Sequence, residues 1–114
     1  MTTLFGIKNC DTIRKARRWL DDNGVAYTFH DVRSDGLDKQ TLQVWEQQLG
    51  WEQLLNRRGT TWRRLPEEVR EGVDRTQALQ IMLDNPVIIK RPVLAVNRQL
   101  YVGFSADTYG EIFD

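Results

Sequence analysis

Cysteine and histidine are almost missing from this chain, with one of each, Cys10 and His30, in 114 residues. A single thiol excludes an internal disulfide and any thiolate-rich metal site, and a lone imidazole has no second histidine to complete another kind of metal site. No apolar run approaches the ~20 residues that span a bilayer, and the N-terminus lacks a basic-then-apolar leader pattern. Neither a membrane partner nor secretion is expected, and the expected location is cytoplasmic. Excess charge of one sign is also lacking, because 16 basic and 16 acidic side chains cancel at neutral pH. Without that excess there is no broad attraction to a polyanion, and nucleic acid is not an expected partner. No repeat, low-complexity tract, phosphate-binding glycine loop, paired-carboxylate motif or Ser/His/Asp arrangement is visible.

The residues present describe an ordinary globular domain, 40% hydrophobic and 28% charged, of a length that supports one core. We read residues 1–114 as a single domain. Twelve of the 16 basic residues are arginine and four are lysine. Arginine carries a planar, permanent charge that forks onto carboxylates and oxyanions. The excess points to an anion site, although an arginine-rich genome would leave the same mark.

Along the chain, Thr2 to Ile7 is β-branched and aromatic and reads as a strand. The cluster Asn9-Cys10-Asp11-Thr12 can cap a following helix, whose apolar face carries Ile13, Ala16 and Leu20 and which ends at Asn23-Gly24. Val25 to Val32 reads as a second strand, parallel to the first through a βαβ crossover. Helical spacing then covers Leu37 to Leu49, with one more helical turn at Trp51 to Leu55. Asn56 to Arg64 reads as a basic loop around Gly59. Pro66 opens a short helix, and another runs from about Asp74 to Leu83. Val87 to Ile89 reads as a brief extended piece. Val93 to Val96 and Gln99 to Val102 form a hairpin across Asn97-Arg98, with Asn97 at positive φ. Ser105 caps a last helix to about Ile112. The order is βαβ, a helical insertion at about residues 37–86, then ββα. It predicts an α/β, thioredoxin-like fold: a mixed four-stranded sheet with helices on both faces.

In such a unit the first βα loop is a binding position, at the carboxyl end of a strand and the amino end of a helix. Cys10 sits there. A free thiol, with pKa near 8.5, is only a few per cent ionised at neutral pH. The helix terminus offers donor amides and about half a positive charge, and Arg14, one turn on, is expected to add a full one. Asp11 opposes this. Lys8, Asn9, Asp11 and Thr12 are too polar for a core strand, which favours a reactive thiol over a buried structural one. Ile13 stands where a Cys-x-x-Cys motif would put its second cysteine. An external thiol must therefore complete any cycle, and glutathione is the abundant cytosolic one.

Two further features carry charge. Arg91-Pro92 precedes a core strand, and an X-Pro bond can take either isomer. Opposite the reactive loop it can present backbone to a thiol substrate, with Arg91 neutralising an oxyanion or carboxylate. The stretch from Asn56 to Arg64 concentrates cations around Trp62. It suits a lid that brings Arg57 or Arg58 to an anion at Cys10, a solvated loop, or an aromatic platform for single-stranded nucleic acid. His30 reads as an ordinary strand-end residue, and no metal ligand set is expected.

Three runs make the chain similar to a known family: Gly6-Ile7-Lys8-Asn9-Cys10-Asp11-Thr12, the stretch from Leu54 to Arg63, and Ile88-Ile89-Lys90-Arg91-Pro92-Val93-Leu94. With the ending Leu100-Tyr101-Val102-Gly103-Phe104, they resemble the arsenate reductase (ArsC) family, in particular its small YffB-like members, relatives of the Spx regulators. The resemblance implies a thioredoxin-like fold with a helical insertion and makes Cys10 the catalytic cysteine. Arg14 matches the arginine of the family's Cys-x-x-x-Arg pattern, and Arg91 its oxyanion-binding arginine before proline. The family's first anion-binding arginine falls on Asn56, with Arg57 adjacent, and its last falls near Val102, where nothing basic stands.

With one matched anion-binding arginine of three, the expected activity is that of a glutathione-dependent thiol reductase, with arsenate reduction coupled to glutathione and glutaredoxin as a second reading. Cys10, Arg14 and Arg91 form its catalytic set, with Asn9, Thr12, Arg57, Arg58 and Pro92 binding substrate or glutathione. The expected partners are glutathione as co-substrate, an oxidised thiol or oxyanion, and glutaredoxin if arsenate is the substrate; no tightly bound cofactor is expected. A third reading is an Spx-like regulator or interaction protein without the Cys-x-x-Cys switch, using an exposed Trp62 as its interface.

Overall fold

Strand β1 (Thr2–Gly6) lies at the centre of a sheet built from short β-branched and aromatic runs, in a computed structural model that describes residues 1–114. It pairs in parallel with β2 (Thr28–Asp31) and antiparallel with β3 (Val93–Val96), which forms a hairpin with β4 (Gln99–Val102). The strand order is β2-β1-β3-β4, so the sheet is mixed and four-stranded as expected. The hairpin turns at Asn97, whose φ is 58°, a conformation that asparagine adopts at low cost.

Helix α1 (Asp11–Asp22) and helix α7 (Ala106–Ile112) share one face of this sheet. Leu4 and Leu94 stand opposite each other in register and are fully buried with Ala16, Leu20 and Tyr109. The Ser105 hydroxyl caps α7 by accepting from the Thr108 amide at 3.1 Å. The Tyr109 ring meets Trp19 and Phe104 edge-on, with centroids 5.6 and 4.7 Å apart, the arrangement that aromatic quadrupoles favour. Its hydroxyl is buried without a hydrogen-bond partner, and burial raises its pKa.

The second strand is shorter than the expected Val25–Val32. Gly24, at φ 69°, ends α1, and the Val25 amide donates back to the Leu20 carbonyl at 2.9 Å. That bond is the closing rung of a Schellman-type cap. Val25 is thereby used to finish the helix, and ladder pairing begins at Thr28.

Residues Met1–Asp35 with Arg91–Asp114 form one compact unit, and Gly36–Lys90 form a second, which contains the segment expected as an insertion. The second unit is helical: α2 (Lys39–Leu49), α3 (Trp51–Leu54), α4 (Thr60–Arg63), α5 (Glu67–Glu71) and α6 (Arg75–Asp84). Asp38 and Asp74 cap α2 and α6 through the Thr41 and Gln77 amides, at 2.7 and 2.9 Å. Leu42, Trp45, Leu54, Ala78, Met82 and Ile88 are among the residues of its buried interior.

Two expectations fail in this unit. The basic stretch from Asn56 to Arg64 is not all loop, since Thr60–Arg63 makes a helical turn that carries Trp62 inward, where it is buried. Val87 to Ile89 is not an extended piece either. Pro86–Ile88 is a 3-10 turn, favoured by proline's fixed φ at its first position. Only Ile89 pairs, in a bridge to Leu55, with the Lys90 amide donating to the Leu54 carbonyl at 2.7 Å. No helix is long and apolar enough to cross a membrane.

Gly6 marks the closest approach of β1 to α1. A Cβ there would lie 2.1 Å from Ile13 Cδ1 and 2.7 Å from its Cγ1. Gly6→Ala should therefore cost about 1–3 kcal/mol in denaturant unfolding, as overpacking of a tight core does. Tyr109→Phe removes an unpartnered buried hydroxyl and should leave stability unchanged or raise it by up to ~1 kcal/mol in the same assay.

Candidate active site

The loop that leaves β1 delivers Cys10 to the N-cap of α1. Its backbone is extended, with φ −141° and ψ 125°, as a residue about to enter a helix must be. Its carbonyl accepts the first helical bond from the Arg14 amide at 2.9 Å. The side chain is half-buried and is a free thiol.

Partial burial by itself pushes the Cys10 pKa up. The backbone amide of Ile13, the hydrogen bond and charge of the Arg91 side chain, and the amide of Thr12 outweigh it, and the net pKa is lowered. Amide donors and a cation favour the thiolate because both stabilise the charged form. Arg91 reaches the sulfur because β3 runs antiparallel beside β1, with Phe5 opposite Val93. The residues just before β3 thus stand beside those just after β1. The Arg91–Pro92 peptide is cis, Pro92 is buried, and its carbonyl accepts from the Gly103 amide at 2.9 Å.

The cation beside the thiol is thus Arg91 and not Arg14. Arg14 was expected to charge the sulfur, but it lies on an exposed part of α1 and pairs with the Asp11 carboxylate three residues before it. Spacing along a helix favours that i, i+3 pair. Asn9 and Thr12 are exposed on either side of the Cys10–Asp11 pair, and Thr12 contributes its amide.

Arg57 and Arg58 belong to the second unit. With Asn56, Lys90, Glu52 and Leu55 they line a pocket of about 390 Å³. The Arg57 guanidinium lies over the Trp51 ring, 5.6 Å from its centroid. Asn56 shapes the turn, its Oδ1 accepting from the Arg58 amide at 3.0 Å. Trp62, read from sequence as exposed, is instead part of this unit's interior. It offers neither an interface anchor nor a base-stacking surface. No group of three or more histidine, cysteine, aspartate or glutamate side chains gathers where a metal could bind.

Sequence reasoning passed over Asp31. It is the one buried charged residue and accepts the Lys8 amide, two residues before Cys10, at 3.2 Å. An acidic residue at the carboxyl end of a strand was the visible signal, but only the register of β1 against β2 gives it meaning.

A cysteine with a lowered pKa at the mouth of the first crossover of a mixed four-stranded sheet defines a thioredoxin-like class of protein. The ArsC family model matches residues 5–112, and the chain belongs to the ArsC family. It is 44% identical to an uncharacterized protein from Haemophilus influenzae, over 99% of both chains. It is 30% identical to the global transcriptional regulator Spx of Staphylococcus aureus, over 94% of this chain and 82% of that one. Among solved structures, the YFFB (PA3664) protein shares 45% identity, with a TM-score of 0.93 over 97% of both chains. An arsenate reductase (ArsC) related protein from Brucella melitensis shares 51% identity, with a TM-score of 0.81 over 99% of this chain and 94% of that one. Membership supports thiol-based reductase chemistry at the level of the family.

Because the Cys10 pKa is lowered, its alkylation rate should rise with pH about a midpoint below the value for free cysteine, near 8.5. Arg91→Ala should move that midpoint up by roughly one pH unit, and Arg14→Ala should move it far less. The pH profile of iodoacetamide labelling measures both.

Proposed function

We propose that this chain is a glutathione-dependent thiol reductase with Cys10 as its single nucleophile. The observation that carries the reading is a thiolate favoured by the Ile13 amide, Arg91 and the Thr12 amide, in a chain with no second cysteine to resolve a mixed disulfide.

For a substrate thiol joined to glutathione in a disulfide, the Cys10 thiolate attacks the glutathionyl sulfur. A bond forms between them, the original disulfide breaks, and the substrate leaves as thiolate with the electron pair. A second glutathione thiolate then attacks the same glutathionyl sulfur. Glutathione disulfide is released, and Cys10 leaves as thiolate. A lowered pKa helps this last departure, since a stable thiolate is a better leaving group. Arg91 is suited to a glutathione carboxylate as well as to the thiolate; within the second unit, the pocket of Arg57, Arg58 and Lys90 is itself suited to a carboxylate. Pro92 follows Arg91 in the chain, and exposed Asn9 and Thr12 lie on either side of Cys10 and Asp11. Glutathione as co-substrate fits a cytoplasmic, reducing location.

A second reading, arsenate reduction with glutathione and glutaredoxin, is favoured by Arg91 beside the sulfur and by the arsenate reductase-related relative. Against it, two of the three positions that hold anion-binding arginines in the family carry no charge here. Asn56 accepts the Arg58 amide, and Val102 is paired with Val93 inside the sheet. An arsenate oxyanion would meet too little positive charge. A redox switch of the Spx kind would need a second cysteine at position 13, which Ile13 occupies.

Incubation with glutathione disulfide should add one glutathionyl group at Cys10, visible in the intact mass and removed by excess glutathione. Cys10→Ser should abolish both the adduct and the reduction of a glutathionylated substrate. Absence of the adduct between about pH 6 and 9, a range that brackets ordinary thiol ionisation, would overturn the reading. Protection of Cys10 from alkylation by arsenate would favour the second one.

A further inference from the structure

Asp31 ends β2, and its backbone stands opposite Gly6 in the parallel register. The ladder between the two strands continues one rung further, the Val32 amide donating to the Gly6 carbonyl at 2.9 Å. Beyond that rung β1 has become the loop to Cys10, and no strand is left to receive the Lys8 amide. The Asp31 side chain receives it, through Oδ2 at 3.2 Å. Its other oxygen accepts the Arg33 and Ser34 amides at 2.8 and 3.1 Å. The Asp31 amide in turn donates to Asp35 Oδ2 at 3.1 Å.

A carboxylate only 4% exposed survives in such a place only when hydrogen bonds replace its lost hydration. Burial pushes its pKa up. The Ser34, Arg33 and Lys8 amides and the Arg33 charge more than offset this, and it is held below the ordinary carboxylate range. Two of the three bonds fold the turn after β2. The third crosses to a different part of the chain, two residues before the thiol, and a turn does not need it.

We propose that Asp31 is a positioning residue for Cys10: its carboxylate fixes the Lys8 peptide and so aims the sulfur at the Ile13 and Thr12 amides. The proposal rests on Cys10 being the reactive group. It also makes a claim of sign. Asp31 is negative, so if it acted on the thiol only through space, removing its charge would favour the thiolate and lower the Cys10 midpoint. Acting through position, its removal misaligns the amides and raises the midpoint.

The test is the pH profile of Cys10 alkylation in Asp31→Asn, which keeps an oxygen for Arg33 and Ser34 but places an amide group against the Lys8 N–H. The midpoint should rise by about half to one unit, which is roughly three- to tenfold slower labelling at pH values below it. Lys8 amide exchange should accelerate while the Arg33 and Ser34 amides stay protected. A folded variant with an unchanged or lowered midpoint overturns the proposal. Should the variant not fold, amide exchange in the unaltered protein decides: a protected Lys8 amide supports the bond, and exchange at the unstructured rate overturns it. A lowered midpoint in the unaltered protein without a glutathione adduct would sink the reductase reading alone, a lowered midpoint unmoved in Asp31→Asn would sink this proposal alone, and a free-cysteine midpoint would sink both.

Discussion

The contact between Gly6 and Ile13 is the constraint on which the chemistry of this protein depends. Because position 6 has no side chain, the end of β1 can lie directly against the first turn of α1, with Ile13 filling the space that a Cβ would take. That closeness leaves only a short loop between strand and helix and places Cys10 at the helix start. The amides of Ile13 and Thr12 are consequently available to a sulfur anion. One residue, Ile13, thus packs the core with its side chain and lowers the Cys10 pKa through its backbone amide.

The charges sort by the same geometry. Neighbours on a helix surface satisfy each other, as Arg14 and Asp11 do. The cation that meets the thiol arrives from a distant part of the chain, carried by the antiparallel pairing of β3 with β1. The buried anion of Asp31 sits on the other side of β1, in β2. The reactive loop therefore has a strand on each flank, one bringing a guanidinium and the other a carboxylate.

Local signals were legible in the sequence wherever local physics decides. β-Branched and aromatic composition marked β1, the Asn97-Arg98 turn marked the hairpin and its positive φ, and Ser105 marked the cap of α7. The placement of Cys10 at the start of α1 followed from its polar neighbours and the apolar stripe behind them. What escaped was set by pairing or burial. Val25 belongs to a helix cap because its amide bonds backward to Leu20. The 3-10 turn at Pro86–Ile88 reads as a strand because Val87, Ile88 and Ile89 are β-branched, whereas the turn is set by Pro86. Trp62 lies in a run of cations, yet its own ring is buried, and exposure cannot be read from neighbours in sequence. The expectation that Arg14 would charge the sulfur missed for the same kind of reason, since proximity along the helix is visible in the sequence and the strand register that brings Arg91 to the thiol is not.

Ile13 stands at the position a dithiol enzyme would give to its second sulfur, and it is fully buried. A cysteine there is smaller by more than a methyl group and would open a void beneath Gly6, at about 1 kcal/mol or more for the lost packing. Self-sufficient redox cycling and a filled interior are thus rival demands on one side chain. This protein resolves the competition in favour of its interior.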